Sequence, residues 1–516
     1  MNRYEPVIGL EIHVQLKTVS KMFCSCDNTG EDQPPNTTIC PICLGHPGVL
    51  PMPNEQAVRW ALMAALALDC TINTETHFDR KSYFYPDLPK GYQISQYGAP
   101  FGHDGHLLIA FGKTKRRVRI ERVHLEEDTG KLLHEADRGA SLVDYNRAGT
   151  PLLEIVTRPD LQTPQGARTF LQELRLIMRY LGISDAEMEK GHLRCDANIS
   201  LRPNPEYFQD RASEGSIGLD PNKLYPKTEI KNLNSFRSVE RSLAYEIKRQ
   251  EELWDKGEAP QVQSTRGWDD QKGETVLQRV KEEQHDYRYF PEPDIPPLRI
   301  EQACLDGIRE ELVELPSAKR ERFRDEFGLG EYDVTILVAD KALSSFFEQV
   351  VSELRAWVLT LEHGGETEEE MWALHRKKLV KTAANWMISR LLGLLNAAHV
   401  PIKKAKVTPE NFAELIKLVH ERRLNKQTAV SVLEKMFGTG KDPSGIMEDE
   451  DLSGQTEAGD LGRFVDGAIA QHEKAVAEYR AGKEPALQYL IGQVMKKTKG
   501  RADVQEIKKL LLLKLQ

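Results

Sequence analysis

The sequence predicts an α+β fold in which a mostly antiparallel sheet comes first and helices follow. Three early segments alternate apolar and polar residues at period two, which is typical of strands with one buried face: 7–16, 192–201 and 227–236. After residue 298, long, charged, Leu-rich segments such as 341–354 show no such alternation and are typical of helices. The fold class follows from this change of pattern along the chain.

The same change divides the chain into predicted domains. We expect a sheet domain over 1–298, a helical domain over 299–405 and a small helical tail domain over 406–516. Residues 438–460 are acidic and poor in apolar side chains, so we expect a flexible linker there.

Composition predicts a cytoplasmic protein without membrane association. The 516 residues include 40% hydrophobic and 29% charged residues, and no apolar run of about 18 residues would span a bilayer. The N-terminus lacks the long apolar segment of a signal peptide. The net charge of −9 argues against a uniformly basic nucleic-acid-binding protein, although it is compatible with a local basic patch.

The first predicted strand, VIGLEIHVQL, carries a carboxylate and an imidazole on its polar face. Glu11 and His13 alternate with Leu10, Ile12 and Val14, so the two polar side chains point the same way. Such a pair can hold a hard cation, and the alternative is a solvated outer face. The other two strands add Asp, Asn, Arg and Lys to their polar faces, which favours a functional face.

Further carboxylates lie at the end of the predicted strand HLEEDTGK and inside the apolar strand PLLEIV. Glu126, Glu127 and Asp128 are adjacent, and neighbouring acids repel each other unless a cation is close. A solvated acidic turn is the alternative. Glu154 lies in an otherwise apolar strand, where an unpartnered carboxylate would cost free energy. We therefore treat these acids as candidate site residues.

Four of the seven cysteines predict a structural zinc site inserted after the first strand. Cys24 and Cys26 form Cys-x-Cys, and after thirteen residues Cys40 and Cys43 form Cys-x-x-Cys. Four thiolates suit tetrahedral zinc and leave no open coordination position. The alternative is four reduced cysteines without a ligand, in the loop 24–43.

Residues 78–100 form a loop-like segment rich in aromatic and basic side chains. Arg80, Lys81 and Lys90 alternate with tyrosines, and basic groups beside aromatic faces can bind an unstacked RNA end or a nucleotide base. A surface loop held together by its aromatic rings is the alternative.

The last 21 residues carry an excess of basic side chains that predicts a phosphate-binding patch. Seven bases stand against Asp503 and Glu506, although a solvated helix face would look the same: Lys496, Lys497, Lys499, Arg501, Lys508, Lys509 and Lys514.

Seven motifs together resemble the family of B subunits of aspartyl/glutamyl-tRNA(Asn/Gln) amidotransferase. The resemblance begins at about Val7, extends to the C-terminus and is most specific over the first 298 residues. The end of the chain, from YRAGKEPALQYL onward, is similar to the small helical tail domain of that family. The stretches 360–372 and 442–460 look like insertions. The motifs are VIGLEIHVQL, KSYFYPDLPKGYQISQY, HLEEDTGK, LVDYNRAGTPLLEIV, LRCDANISLRP, KTEIKNLNSF and DYRYFPEPD.

The resemblance implies a cradle-shaped catalytic domain, a helical domain and a tRNA-binding tail. It also implies an ATP-dependent ligase that converts misacylated Glu-tRNA(Gln), Asp-tRNA(Asn) or both in two steps. ATP phosphorylates the side-chain carboxylate, and ammonia then displaces the phosphate. The implied partners are the tRNA, an amidase A subunit that makes ammonia from glutamine, and a small C subunit.

The resemblance also assigns roles to individual residues. Magnesium ligands of the family match His13, Glu127 and Glu154 here, with Glu11 beside them as a further catalytic residue, and zinc is structural. By their chemistry, we expect phosphate or ATP contacts from Arg194, Lys227 and Lys231, and contacts with the tRNA acceptor end from Tyr83, Tyr85 and Tyr92.

Two other functions remain open at this point. A non-catalytic, zinc-containing tRNA-binding scaffold would explain the aromatic segment, the cysteines and the basic tail, but not His13, Glu127 and Glu154. A free-standing amide ligase that uses free ammonia would need no amidase partner.

Overall fold

The computed structural model describes residues 3–112, 114–135, 139–204, 207, 223–281, 287–361, 367–450, 458–498 and 504–515. The chain forms two units, residues 1–316 and 317–516. The predicted mixture of an early, mostly antiparallel sheet and later helices is confirmed. Within the described residues, no helix is long and apolar enough to cross a membrane.

The first unit contains the strands and three long helices. The strands are β1 Tyr4–Gln15, β2 Thr71–Ile72, β3 Glu75–Thr76, β4 Asp79–Ser82, β5 Tyr92–Ser95, β6 Gly102–Phe111, β7 Thr114–Glu127, β8 Lys131–Glu135, β9 Ala140–Asp144, β10 Pro151–Thr157, β11 Leu193–Pro203, β12 Thr228–Lys231, β13 Gln263–Asp269, β14 Glu274–Lys281, β15 Phe290–Pro291 and β16 Leu298–Arg299. The helices are α1 Glu55–Ala67, α2 Pro164–Leu181, α3 Phe236–Asp255 and the shorter α4 Gln302–Glu311.

Nine of the described strands form the main sheet, in the order β14-β13-β12-β11-β1-β10-β7-β6-β2. The pairs are antiparallel except for β12 with β13, which run parallel. β1 lies near the centre, between β10 and β11. A smaller sheet, β15-β4-β5, carries much of the aromatic segment.

One face of the main sheet is buried under the helices α1, α2 and α3. Ile8, Leu10, Ile12 and Val14 of β1 are at most 1% exposed and belong to the same core as Phe170 of α2. Because side chains alternate along a strand, the other face of β1 is free to carry polar groups. This is the division that the sequence pattern predicts.

Local signals explain where α2 begins and ends. The Thr163 side chain accepts a hydrogen bond from the Gly166 amide, Pro164 occupies the first turn, and Gly182 ends the helix with a φ of 76°. The left-handed backbone at this position favours glycine.

The second unit is helical in its described residues. Its helices are α5 Pro316–Phe327, α6 Glu331–Val338, α7 Lys341–Val358, α8 Glu368–Trp386, α9 Leu392–Ala398, α10 Pro409–His420, α11 Lys426–Thr439, α12 Pro443–Asp449, α13 Ala458–Gln471, α14 Glu473–Arg480, α15 Glu484–Lys497 and α16 Val504–Leu515, with a π-helical turn at Met387–Leu391. The last four helices share a small core of their own, which includes Val465, Leu490 and Leu511.

Two segments differ from the sequence-based expectation. Residues 443–449 of the predicted flexible linker form α12, because Asp442 caps the helix and Ile446 and Met447 are buried; residues 451–457 lie outside the described part of the chain. α4, which we assigned to the helical domain, instead packs through Leu305 and Ile308 into the core of the first unit. The division into three functional domains stays a prediction.

Candidate functional site

The candidate site lies on the polar face of the main sheet, where β1 meets its two neighbours. His13 is the register partner of Glu154 in β10 and of Arg194 in β11. β7 follows β10 in the sheet and places His124 opposite Glu154. Side chains from three consecutive strands therefore meet on one face.

The carboxylates converge on the imidazole of His13. Its Nε2 atom lies 3.5 Å from Glu154 Oε2, 3.5 Å from Glu126 Oε1 and 3.9 Å from Glu11 Oε1. Glu126 and Glu154 are buried, at 2% and 5% exposure. We call Glu11, His13, Glu126 and Glu154 the acidic cluster.

Two further side chains hold Glu154 in place. His124 Nε2 lies 3.2 Å from Glu154 Oε2, and Arg122 Nη2 lies 3.7 Å from Glu154 Oε1. The Ser95 hydroxyl of β5 donates a hydrogen bond of 3.1 Å to Glu126 Oε2. The acidic cluster is thus fixed by neighbours outside it, as is typical of the residues around a metal site.

Burial and mutual charge shape the electrostatics of the cluster. Burial disfavours the charged form of Glu154, but His124 and His13 outweigh it and hold the pKa of Glu154 well below its usual range. Burial also lowers the pKa of His13, yet the hydrogen bond and charge of Glu154, with Glu126 and Glu11, raise it to about 9. Burial and the charge of Glu154 raise the pKa of Glu11. A cation is therefore favoured here.

The donor set fits a divalent metal ion. Glu11, His13 and Glu154 offer ligand atoms that all lie within 4.8 Å of one another, and so do His124, Glu126 and Glu154. Carboxylate oxygens with one imidazole nitrogen suit a hard cation such as magnesium or manganese.

The structure does not bring Glu127 into the acidic cluster. Glu127 follows Glu126 in β7 and so points to the other side of the strand. Its Oε1 atom accepts a hydrogen bond of 2.9 Å from the Ile94 amide and pairs with the Lys90 ammonium. The geometry therefore gives no support to Glu127 as a ligand beside His13, whereas Glu126 lies at that position.

Two of the three predicted phosphate-binding residues are paired with carboxylates. Arg194 Nη2 lies 2.6 Å from Asp128 Oδ2, and Lys231 Nζ lies 2.5 Å from Asp196 Oδ2. Burial raises the pKa of Asp128, but Arg194 and Arg147 outweigh it and lower the pKa to about 2. Arg194 and Lys231 thus balance local acids.

Lys227, the third of these residues, lines a cavity of about 850 Å³ beside the acidic cluster. Glu11 lines the same cavity and so connects it with the cluster. Gly9 and Asn198 contribute the sheet side, and Tyr225 and Trp254 are among the residues around it. The buried Oδ1 atom of Asn198 has no hydrogen-bond partner among the described residues, so it is available to a ligand.

The predicted acceptor-end tyrosines have different surroundings. Tyr85 is exposed, and Tyr83 is half-buried against Tyr287 at 5.9 Å between ring centroids. The face of Tyr92 is covered by the Arg80 guanidinium, 4.2 Å from the ring centroid. We therefore find Tyr83 and Tyr85, but not this face of Tyr92, available for stacking.

Sequence reasoning missed several residues that belong to this region. Tyr289 stacks on Tyr97 with 4.3 Å between ring centroids, and β15, which contains Phe290, pairs with β4 next to the aromatic segment. The aromatic motif DYRYF was visible in the sequence, but its pairing with a segment almost 200 residues earlier was not. Asp286 of that motif lies outside the described residues.

The four predicted zinc ligands are close together. The sulfur atoms of Cys24, Cys26, Cys40 and Cys43 lie within 4.8 Å of one another. The Cys40 amide donates a hydrogen bond of 3.1 Å to Cys43 Sγ, as is common for metal-binding thiolates. Four sulfurs at these distances fit a tetrahedral metal site.

The basic residues of the tail are only partly available. Lys496, Lys508 and Lys509 are exposed, whereas Lys514 pairs with Asp466 and Lys497 donates to the Gly467 carbonyl. Lys499 and Arg501 lie outside the described residues.

Two family models match the chain. The model described as the GatB/GatE catalytic domain matches residues 6–306, and the model described as the GatB domain matches residues 370–515. The first match contains the acidic cluster, the cavity and the four cysteines.

Curated relatives are similar over the full length of the chain. A protein of Thermotoga maritima is 45% identical over 505 residues, which is 97% of each chain. A protein of Carboxydothermus hydrogenoformans is 43% identical over 519 residues, covering 100% of this chain and 99% of the relative. A protein of Brevibacillus brevis is 43% identical over 511 residues, covering 99% and 98%. Each is named as the B subunit of aspartyl/glutamyl-tRNA(Asn/Gln) amidotransferase.

Proposed function

Since this chain belongs to the family of B subunits of aspartyl/glutamyl-tRNA(Asn/Gln) amidotransferase, we propose that its acidic cluster is where ATP activates the misacylated tRNA. The enzyme is an ATP-dependent ligase complex that produces Gln-tRNA(Gln) or Asn-tRNA(Asn). The observation that carries the proposal is the convergence of three carboxylates from three strands on His13.

The chemistry explains why such a cluster is needed. The side-chain carboxylate attacks the γ-phosphorus of ATP, an acyl phosphate forms, and ADP leaves. Ammonia then attacks the acyl carbon, and phosphate leaves with the loss of one proton from nitrogen. A divalent ion would neutralise the phosphate oxygens during the first step. The protein must position the carboxylate and keep water from the acyl phosphate.

We assign the metal ligands to His13, Glu126 and Glu154, with Glu11 beside them at the edge of the cavity. Glu126 replaces Glu127 in this proposal because its carboxylate faces His13, 3.5 Å from Nε2. Glu127 is engaged with Lys90 and the Ile94 amide. His124 and Arg122 orient Glu154 from the other side.

The cavity beside Glu11 is our candidate for the adenosine part of ATP. Its volume of about 850 Å³ is in the range of cofactor sites. Asn198 supplies an unpartnered buried acceptor for an amine or hydroxyl donor, and Lys227 supplies a charge near the phosphates. Glu11 then separates the nucleoside from the transferred phosphate.

Structural zinc, the cradle shape of the catalytic domain and the associated subunits complete the proposal. Zinc bound by the four cysteines would hold the loop 24–43 to the sheet domain. Assembly with an amidase A subunit and a small C subunit, and binding of the tRNA, follow from the family name of the relatives. The reduced cysteines are compatible with the expected cytoplasmic location.

The experiment uses the chain assembled with its A and C subunits, misacylated tRNA and ammonium chloride in place of glutamine. Glu11→Gln and Glu154→Gln should each abolish tRNA-dependent ATP hydrolysis and amide formation, while tRNA affinity stays close to that of the wild type. Glu75→Gln, at an exposed acid of β3, is the matched control and should retain turnover. Wild-type turnover in Glu154→Gln would refute the site. A wild-type complex that binds tRNA but never consumes ATP would support the scaffold instead.

A further inference from the structure

Lys81 is a half-buried cation that faces the acidic cluster from the smaller sheet. It lies in β4, where it is the register partner of Gln93 in β5. Its neighbour Arg80 points the other way and forms two hydrogen bonds with Glu292, of 2.6 and 2.8 Å. The two adjacent cations of β4 therefore have different roles, since Arg80 is fully occupied by a carboxylate.

Lys81, in contrast, has no hydrogen-bond or ion-pair partner among the residues that the structure describes. Its Nζ atom lies 5.0 Å from the ring centroid of Tyr287 and 5.9 Å from that of Tyr83. These rings pack edge to face, and Tyr287 also contacts Tyr289. The tyrosines hold the lysine side chain in place by cation–π contact without neutralising its charge.

The charges that act on Lys81 come from the acidic cluster. Burial lowers the pKa of Lys81, but the carboxylates of Glu126 and Glu154 outweigh burial, so the pKa lies above its usual value and the side chain is an ammonium. Arg122 is the other cation close to Glu154. A buried ammonium left without a direct partner is costly, and it is typically retained where an anionic ligand completes the site.

We propose that Lys81 is a catalytic residue whose ammonium binds the phosphoryl group while it passes from ATP to the substrate carboxylate. In that step the bond from the γ-phosphorus to the bridging oxygen of ADP breaks, and the bond to the carboxylate oxygen forms. Both the phosphoryl oxygens and the attacking carboxylate are anions, so a fixed cation opposite the metal ligands lowers their repulsion. Lys81 supplies that charge from a side chain that no protein carboxylate has already neutralised.

This inference rests on the proposed function, and the test separates the two. In the assembled complex, Lys81→Met should lower the kcat of tRNA-dependent ATP hydrolysis by about 100-fold, the effect of removing one strong electrostatic contact to a transition state. The affinities for tRNA and for Mn²⁺ should stay within about three-fold of the wild type, because Lys81 binds neither of them directly. Lys81→Arg, which keeps the charge, should restore part of the turnover. Lys272→Met, at an exposed lysine beside Asp269, is the matched control.

Each result decides between two roles for Lys81. If Lys81 only neutralises the cluster within the folded protein, Lys81→Met will shift the melting temperature or the Mn²⁺ affinity, and the folded, metal-loaded variant will keep its turnover. That result would overturn the inference, as would equal loss in Lys81→Met and Lys272→Met. If the wild-type complex itself shows no tRNA-dependent ATP hydrolysis, the proposed function fails first.

Discussion

His13 and Glu126 belong to strands that are not neighbours in the sheet, yet His13 Nε2 lies 3.5 Å from Glu126 Oε1. β10 runs between them and contributes Glu154 at the same distance from the same nitrogen. The relationship depends on the register of β10 with β1 and with β7, because a shift by one residue would turn these side chains to the opposite face. The site is therefore a property of the sheet rather than of one motif.

The cavity beside Glu11 predicts separate effects on ATP affinity and on turnover. Asn198→Ala removes the unpartnered acceptor and should raise the KM for ATP by about 10-fold, the effect of one hydrogen bond, with little change in kcat. Gly9→Ala should fold normally, since the added Cβ would lie 3.7 Å from Pro159, in ordinary contact, but it reduces the cavity and should also raise the KM. Steady-state kinetics in ATP check both variants. An unchanged KM in both would place the nucleotide elsewhere.

The cysteine cluster predicts one zinc ion per chain. Cys40→Ser should lose the zinc and increase hydrogen exchange in residues 24–45 before the main sheet is affected, because the loop has few other apolar contacts to hold it. Cys304→Ser changes an exposed cysteine outside the cluster and should retain the full zinc content. Elemental analysis of protein prepared without chelator measures both, and absence of zinc from the wild type would contradict the prediction.

The pair of Arg194 and Asp128 predicts a pH-dependent loss of stability. The folded protein lowers the pKa of Asp128 to about 2, so this carboxylate contributes stability above the unfolded pKa near 3.8 and loses it as the pH falls toward 2. Arg194→Gln should lower the free energy of unfolding at pH 7 by about 2 to 3 kcal/mol. The difference from the wild type should shrink in a urea titration repeated between pH 4 and pH 2.5. A constant difference across this range would show that the pair does not stabilise the fold electrostatically.

The exposed lysines of the tail predict the salt dependence of tRNA binding. Lys496, Lys508 and Lys509 are exposed and have no ion pair among the described residues, so changing all three to Gln should weaken binding. The slope of log affinity against log salt should fall by about 0.7 to 0.9 for each phosphate that the variant no longer neutralises. Lys190→Gln, at an exposed lysine paired with Glu187, should leave the slope unchanged. Equal slopes in both variants would mean that the basic helix is a solvated face.

Much of the fold follows from the sequence, because local patterns determine which face of a strand is buried. The alternation of 8–16 predicts β1, Thr163-Pro164 and Gly182 predict the ends of α2, and the spacing of the four cysteines predicts their cluster. Low apolar content concealed α12, since two buried residues, Ile446 and Met447, are enough to hold so short a helix.

The candidate site is less predictable because it depends on contacts between distant segments. Alternation within β7 puts His124 and Glu126 on one face and Glu127 on the other, but only the register with β10 decides which face meets His13. The contact of Tyr287 with Lys81 joins segments about 200 residues apart, and no local pattern contains it.

The most direct test of the account compares two neighbouring carboxylates of β7. Mn²⁺ titration of the assembled complex, followed by electron paramagnetic resonance, measures metal affinity without depending on turnover. Glu126→Gln should weaken Mn²⁺ binding by at least about 10-fold, because it removes a charged ligand that faces His13. Glu127→Gln should leave the affinity within about two-fold of the wild type, because this carboxylate pairs with Lys90 instead. Loss of Mn²⁺ binding in Glu127→Gln with wild-type binding in Glu126→Gln would contradict the proposed site.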